Sequence, residues 1–276
     1  MSIKTSIKKA LSYIKAKEII HVDNVVEPSD LLKGKVALVS GGTGGIGSAI
    51  VQSLYNAGAS VIVGGTSECK LKEFANRFND HERVKYLIIR LETQQNFDLV
   101  VSEAAEIFGR IDIFINSAGV HTENVDFWTV SNDEFDRVIG INLIGPFLLA
   151  RAVANHMKDN RIKGHILFVN SSRGFEPAWS PYGTSKWALR GMTQGFAQVL
   201  LPYGITVNSI APGSTATPLI GFNEGSSIAS QENGMGRLAT PNEIANWVTM
   251  LVSGAGDLVI GETLLVAGGR GSIDIR

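Results

Sequence analysis

The sequence predicts an α/β fold, a doubly wound and mostly parallel seven-stranded sheet with helices on both faces. Three observations carry that expectation. From Gly34 onward, short apolar runs alternate with longer helical patterns, the strand-then-helix order that builds parallel sheets. The runs are apolar throughout, as strands covered on both faces require. The first run empties into a glycine-rich turn, Ser40-Gly-Gly-Thr-Gly-Gly-Ile-Gly47, and doubly wound sheets bind ligands beyond the carboxyl ends of their strands.

Residues 1–33 stand apart as an N-terminal arm. Ile3, Ile7, Leu11 and Ile14 fall on one helical face, with Lys4, Lys8, Lys9, Lys15 and Lys17 around it, so a short amphipathic basic helix is expected. Such a helix packs on its own subunit or a neighbour, and it also has the capacity to associate with a membrane surface. The turn-like Glu27-Pro28-Ser29-Asp30 closes the arm, and residues 34–276 form a single domain. Its strands are expected at 36–39, 60–63, 86–89, 111–115, 166–169, 206–210 and 262–266. The helices between them are expected at 48–56, 69–78, 96–108, 133–158, from before Tyr182 to about 201, and 242–252. Residues 214–238 read as a loop-rich segment.

Composition bounds the function. Over 276 residues, 44% are apolar and 18% charged, which describes a globular chain with a sizeable core. A net charge of -1 gives no electrostatic reason to expect nucleic acid. The one cysteine, Cys69, excludes an internal disulfide and fits a reducing compartment. His21, His81, His121, His156 and His165 lack any paired ligand spacing, so no metal is expected. No apolar run approaches the roughly 20 residues of a bilayer span, and the lysine-bearing start lacks a secretory apolar core. A cytoplasmic protein with no integral membrane segment is the expectation.

The chemistry is expected between Ser171 and Lys186. Tyr182 and Lys186 are four apart, on one helical face. An ammonium beside a phenol is expected to lower its pKa from about 10, and a phenol so tuned exchanges a proton with a carbonyl or alcohol oxygen. Ser171 lies upstream to hydrogen-bond the same oxygen, with Ser172 as its competitor. Gly41, Gly45 and Gly47 permit positive φ and let N–H groups and a helix N-terminus approach a pyrophosphate.

Read in order, the glycine turn, Asn116-Ser-Ala-Gly119, Asn142, Ser171, Tyr182 with Lys186, and Pro212-Gly213 through Thr217 resemble the short-chain dehydrogenase/reductase family. The match is to its compact single-domain, Rossmann-like branch, over about residues 34–269. The resemblance is nearest to 3-oxoacyl-carrier-protein reductases and looser to sugar and polyol dehydrogenases. It implies Tyr182 as general acid/base, Lys186 as the group that lowers its pKa and binds the nicotinamide ribose, Ser171 as the polariser of the substrate oxygen, and Asn142 as holder of a relay water. It implies cofactor contacts from Gly41, Gly45, Ile46 and Gly47, from Asn116, Ala118 and Gly119 at the adenosine ribose, from Leu91, and from Pro212, Gly213 and Thr217 at the nicotinamide.

At the end of the second strand Gly65 stands where NAD-selecting relatives carry a carboxylate, and Thr66 and Ser67 follow with hydroxyls. This favours NADP(H), while Gly44, in place of a basic residue, leaves NAD(H) open. Lys70 is the nearest base, and Arg90 replaces an aspartate near the adenine. The segment 214–238 is implied as a substrate lid with Pro218, Leu219, Ile220, Phe222, Ile228, Met235 and Leu238 as lining, approached by His121, Trp128, Arg173, Phe175, Glu176 and Trp179. Tyr203 replaces a base expected of carrier-protein reductases, although Arg161 and Lys163 keep docking open, and Ala267 replaces a usual aspartate. A homotetramer or dimer is implied. The expected function is hydride transfer between NADP(H) and a carbonyl or secondary alcohol, the substrate a 3-oxoacyl thioester, keto-sugar or other small ketone. The competing reading is a catalytically idle NAD(P)-binding sensor or assembly protein.

Overall fold

The computed structural model describes residues 28–91, 95–123, 125–223, 225–232 and 234–273; the helix expected around residues 3–17 lies outside them. The strands are β1 (Val36–Ser40), β2 (Ser60–Gly65), β3 (Val84–Ile88), β4 (Ile113–Asn116), β5 (His165–Val169), β6 (Thr206–Pro212) and β7 (Thr263–Val266). They form one sheet in the order β3-β2-β1-β4-β5-β6-β7, with every neighbouring pair parallel. The helices are α1 (Gly45–Asn56), α2 (Glu68–Ala75), α3 (Phe97–Phe108), α4 (Asn132–Ile139), α5 (Gly145–Asp159), α6 (Pro181–Leu200) and α7 (Pro241–Leu251).

Alternate side chains of each strand feed two apolar layers. In β1, Ala37 and Val39 join the layer that holds Ile50, Val51 and Leu54 of α1 and Ile244 and Val248 of α7. Val36 and Leu38 join the opposite layer, with Val100 and Val101 of α3, Leu149 and Val153 of α5, and Leu189 of α6. Leu32, just before the expected domain start, is 1% exposed in the first layer, and its N–H donates to Ala57 O at 2.7 Å. The helical stretch 132–159 is long and apolar enough to cross a membrane, but half of its apolar window is buried inside this fold.

Three elements depart from the expected pattern for physical reasons. The helix expected over 69–78 stops at Ala75, yet Phe78 stays buried. Its ring meets Tyr55 and Phe74 edge-on at centroid distances of 4.9 and 5.4 Å, so the apolar period outruns the helix. Regular pairing of β4 begins at Ile113 rather than 111, because the Asp112 carboxylate accepts the Val36 N–H at 3.0 Å and is itself held by Arg110 at 2.6 Å.

The single helix expected over 133–158 is interrupted by a π-helical turn, Gly140–Ile144, between α4 and α5. Such turns insert one residue into the helical register and often sit at functional sites. This one carries the buried Asn142. Gly145, which follows it, lies against Leu91: a Cβ at Gly145 would overlap the Leu91 carbonyl oxygen and come within 2.7 Å of Leu91 Cβ. Gly145→Ala therefore forces α5 off the sheet and is expected to cost about 1–3 kcal/mol, read as a lower midpoint in thermal or urea unfolding; an unchanged midpoint would show that the helix shifts freely.

Candidate active site

The sheet order reverses direction between β1 and β4, so their carboxyl ends open a crevice. Across it, Ser40 Oγ donates to Asn116 Oδ1 at 2.7 Å, and Asn116 Nδ2 donates to Ala118 O at 3.4 Å. Gly41 has φ +69°, and a Cβ there would stand 2.6 Å from Ala118 N. The glycine turn is therefore pressed onto residues 117–119. At the N-terminus of α1, Gly44 takes the capping position without a side-chain cap, so the first N–H groups of the helix remain available to an anion.

A cavity of about 370 Å³ opens over this helix end, lined by Gly44, Gly45, Ile46 and Gly47 on one side and by Ser171, Tyr182 and Lys186 on the other. Ala118, Gly119, Pro212, Gly213 and Thr217 complete the wall. Gly45 is flush with Thr217: a Cβ would lie 2.7 Å from Thr217 Cβ. A dinucleotide fits this set, because the bare glycine backbone and uncapped helix end match a pyrophosphate. The cavity also holds a waiting donor, as buried Asn170 Nδ2 has no partner among the described residues.

Helix α6 delivers the Tyr182/Lys186 face. Ser180 caps it, accepting the Gly183 N–H at 3.1 Å, and Pro181 occupies its first turn, where its missing N–H costs nothing. The Tyr182 ring stacks on His121, with centroids 4.0 Å apart and planes 22° apart. Lys186 Nζ donates to Val169 O at 3.1 Å and lies 5.5 Å from the Tyr182 ring centroid. From the π-turn, Asn142 grips Val120 by both backbone groups, accepting its N–H at 2.8 Å and donating to its carbonyl at 2.9 Å. Asn142 Nδ2 also donates to Ser185 Oγ at 3.3 Å, and that hydroxyl donates to Tyr182 O at 2.7 Å.

Comparison with known proteins places this arrangement. A family model described as short chain dehydrogenase matches residues 35–224. The chain belongs to the short-chain dehydrogenase family. A 3-oxoacyl-[acyl-carrier-protein] reductase of Rickettsia felis is 32% identical over 243 residues, covering 86% of this chain and 97% of the relative. An acetoacetyl-CoA reductase of an Acinetobacter species is 35% identical, covering 85% and 97%. Among solved structures, a gluconate 5-dehydrogenase from Burkholderia cenocepacia in complex with NADP and tartrate superposes with a TM-score of 0.80 at 29% identity, over 89% of this chain and 99% of that one. A Brucella melitensis 3-ketoacyl-carrier-protein reductase complexed with NADH gives 0.80 at 28% identity, over 87% and 99%. The chain is thus an oxidoreductase of this family served by a nicotinamide cofactor.

Not every residue singled out in the dehydrogenase's sequence reaches the cavity. Gly41 and Asn116 lie beneath its wall as braces, and Leu91 is core, 5% exposed and against Gly145. Thr66 is exposed past the end of β2, beside Arg90, whose Nη2 donates to Thr66 O at 3.5 Å. Ser67 caps α2, its Oγ accepting the Lys70 N–H at 3.5 Å. Of the lid residues, Leu219 and Ile220 line the cavity, Leu238 is core, and Trp128 and Trp179 are exposed. Asn170, Ser214, Glu232 and Arg270 also line it, although only Ser214 and Glu232 fall in the expected lid segment and none was singled out. They come from three stretches of chain, and no short spacing links them.

The expected downward shift of the phenol by Lys186 is not what the geometry gives. Burial pushes Tyr182 above its ordinary value, while a hydrogen bond from Ser171 and the charge of Arg173 pull the other way. The ammonium sits over the ring face and spends a donor on Val169 O. Burial also pulls Lys186 from 10.5 down to about 8. His121 is held below its usual range by burial, and by the charges of Lys186 and Arg173.

Lys186 binds a proton less readily in the folded protein than in the unfolded chain. Its cost to stability is therefore full below about pH 8 and is relieved as pH rises towards 10.5. Lys186→Met removes that cost. Its stability relative to the parent, read by urea unfolding, is expected to fall by about 2 kcal/mol between pH 7 and pH 10; a pH-independent difference would mean Lys186 is not so shifted.

Proposed function

We propose that the dehydrogenase interconverts a small ketone and its secondary alcohol with NADP(H), using Tyr182 as the general acid/base. The observation that carries this reading is the meeting of Ser171, Tyr182 and Lys186 on one wall of a cavity whose opposite wall is an uncapped, glycine-bounded helix end. A nicotinamide held there by Pro212, Gly213 and Thr217 supplies the hydride in reduction. The protein then supplies one proton and the alignment. Tyr182, kept neutral by burial, is in the form that donates: its O–H proton passes to the carbonyl oxygen as that oxygen gains charge. Ser171 donates a hydrogen bond to the same oxygen. Lys186 contacts the ribose and stabilises the phenolate left behind. Asn142, whose side-chain oxygen lies against Gly119 as Lys186 Nζ does, holds the water through which the proton is replaced.

The preference for NADP(H) is supported by the end of β2. Gly65 offers no carboxylate to repel a 2′-phosphate, Thr66 presents a hydroxyl, and the Arg90 guanidinium reaches the same corner. The names of the relatives suggest 3-oxoacyl thioesters or sugar acids as substrate classes. A homo-oligomer is supported by the apolar side chains left exposed on α5 and α6, among them Phe147 at 40% and Val199 at 66%.

Tyr182→Phe is expected to lower turnover of a ketone panel by about 10²–10⁴-fold while NADPH still quenches protein fluorescence as in the parent. Retained turnover would remove Tyr182 from the acid/base role. Thr66→Asp places a carboxylate at the 2′-phosphate corner and is expected to shift the NADPH/NADH ratio of kcat/KM towards NADH by about ten-fold or more. An unchanged ratio would place cofactor selection elsewhere.

A further inference from the structure

The same cavity carries a charged cluster drawn from three segments. Arg270 reaches in from the turn after β7, and its guanidinium is divided between two carboxylates. On one edge, Nε and Nη2 donate to the two oxygens of Glu176 at 2.7 and 3.2 Å. Glu176 is partly buried, 17% exposed, and also holds Arg173 at 3.1 Å. On the other side, Arg270 Nη1 donates to Glu232 Oε2 at 3.3 Å and to Ser214 Oγ at 3.4 Å. The Ser214 hydroxyl donates to that same Glu232 oxygen.

The two carboxylates are not equivalent. Glu176 fixes one edge of the guanidinium as a permanent partner, so the fork is aimed before any ligand arrives. Glu232 is 55% exposed on the 214–238 segment, outside any helix or strand, and an ion pair so exposed is weakly held. Without it the cluster holds two guanidiniums against one carboxylate, an excess positive charge in the same cavity as Ser171 and Tyr182. We infer that Arg270 Nη1 and Ser214 Oγ form the carboxylate subsite of the substrate, and that Glu232 is a stand-in which an incoming carboxylate displaces. The inference deepens the reductase reading and rests on it: the substrate is a keto acid, or its hydroxy-acid counterpart, with the reacting carbon at Tyr182 and the carboxylate at Arg270.

Two measurements test this. Titration calorimetry with malonate, which has no reducible ketone, reads the subsite without turnover. Malonate is expected to bind the NADPH-loaded protein, to bind Arg270→Gln about ten- to hundred-fold more weakly, and to bind Glu232→Gln more tightly. The tightening in Glu232→Gln is a result that a purely structural role for Arg270 would not produce. In parallel, matched keto acids and their methyl esters are compared by kcat/KM, with the acids expected to lead by about ten-fold or more. Malonate binding that neither substitution alters, or no binding at all, overturns the subsite. Esters reduced as well as acids overturn it too, while leaving the ketone-reductase reading in place. Malonate binding that depends on Arg270, with no carbonyl of either kind reduced, upholds the subsite and fells the reductase reading instead.

Discussion

The site depends on how closely two chain turns approach at the carboxyl ends of β1 and β4. Ser40 and Asn116, both buried, are joined there by a side-chain hydrogen bond, and Gly41 lies under Ala118 with no room for a Cβ. A buried polar pair is favourable only when both members are satisfied, and Asn116 is satisfied only if residues 117–119 follow it in one conformation. That segment leads to Val120, which Asn142 grips from the π-turn. Asn142 in turn touches Ser185, whose hydroxyl is bonded to the Tyr182 carbonyl. A continuous chain of contacts thus runs from the glycine turn to Tyr182.

The electrostatics follow from the same enclosure. Low exposure moves the phenol up and the ammonium down, because burial disfavours whichever form is charged. The two groups therefore move apart in proton affinity, the phenol rising from 10 and the ammonium falling from 10.5 to about 8. His121, stacked on the phenol and kept neutral by burial and then by the charges of Lys186 and Arg173, adds an apolar face and no competing cation.

Much of the fold was legible because parallel strands leave continuous apolar runs, and much of the site because its groups sit at fixed short spacings. Tyr182 and Lys186 are one helical turn apart, and Gly41 to Gly47 lie within a single turn. What escaped has a physical reason in each case. The π-turn adds one residue to a helix whose apolar stripe continues on both sides, so periodicity does not register it. Val36 gives its N–H to the Asp112 carboxylate while Asp112 keeps its own backbone bonds, which no hydropathy pattern reveals. The upward shift of Tyr182 depends on enclosure rather than on its neighbour four residues away. The Arg270–Glu176 pair is separated by 94 residues, and the sheet alone brings its members together.

The turn after β7 has a consequence of its own. Gly268, Gly269 and Gly271 all adopt positive φ, a run that curls the chain back over residues 172–175, where a Cβ on Gly271 would lie 3.2 Å from Phe175 Cβ. Gly268 O also accepts the Gly234 N–H at 2.9 Å. The turn is therefore a strap between residues 172–175 and the 214–238 segment. A change within residues 268–271 is, mechanically, a change to two walls of the cavity at once.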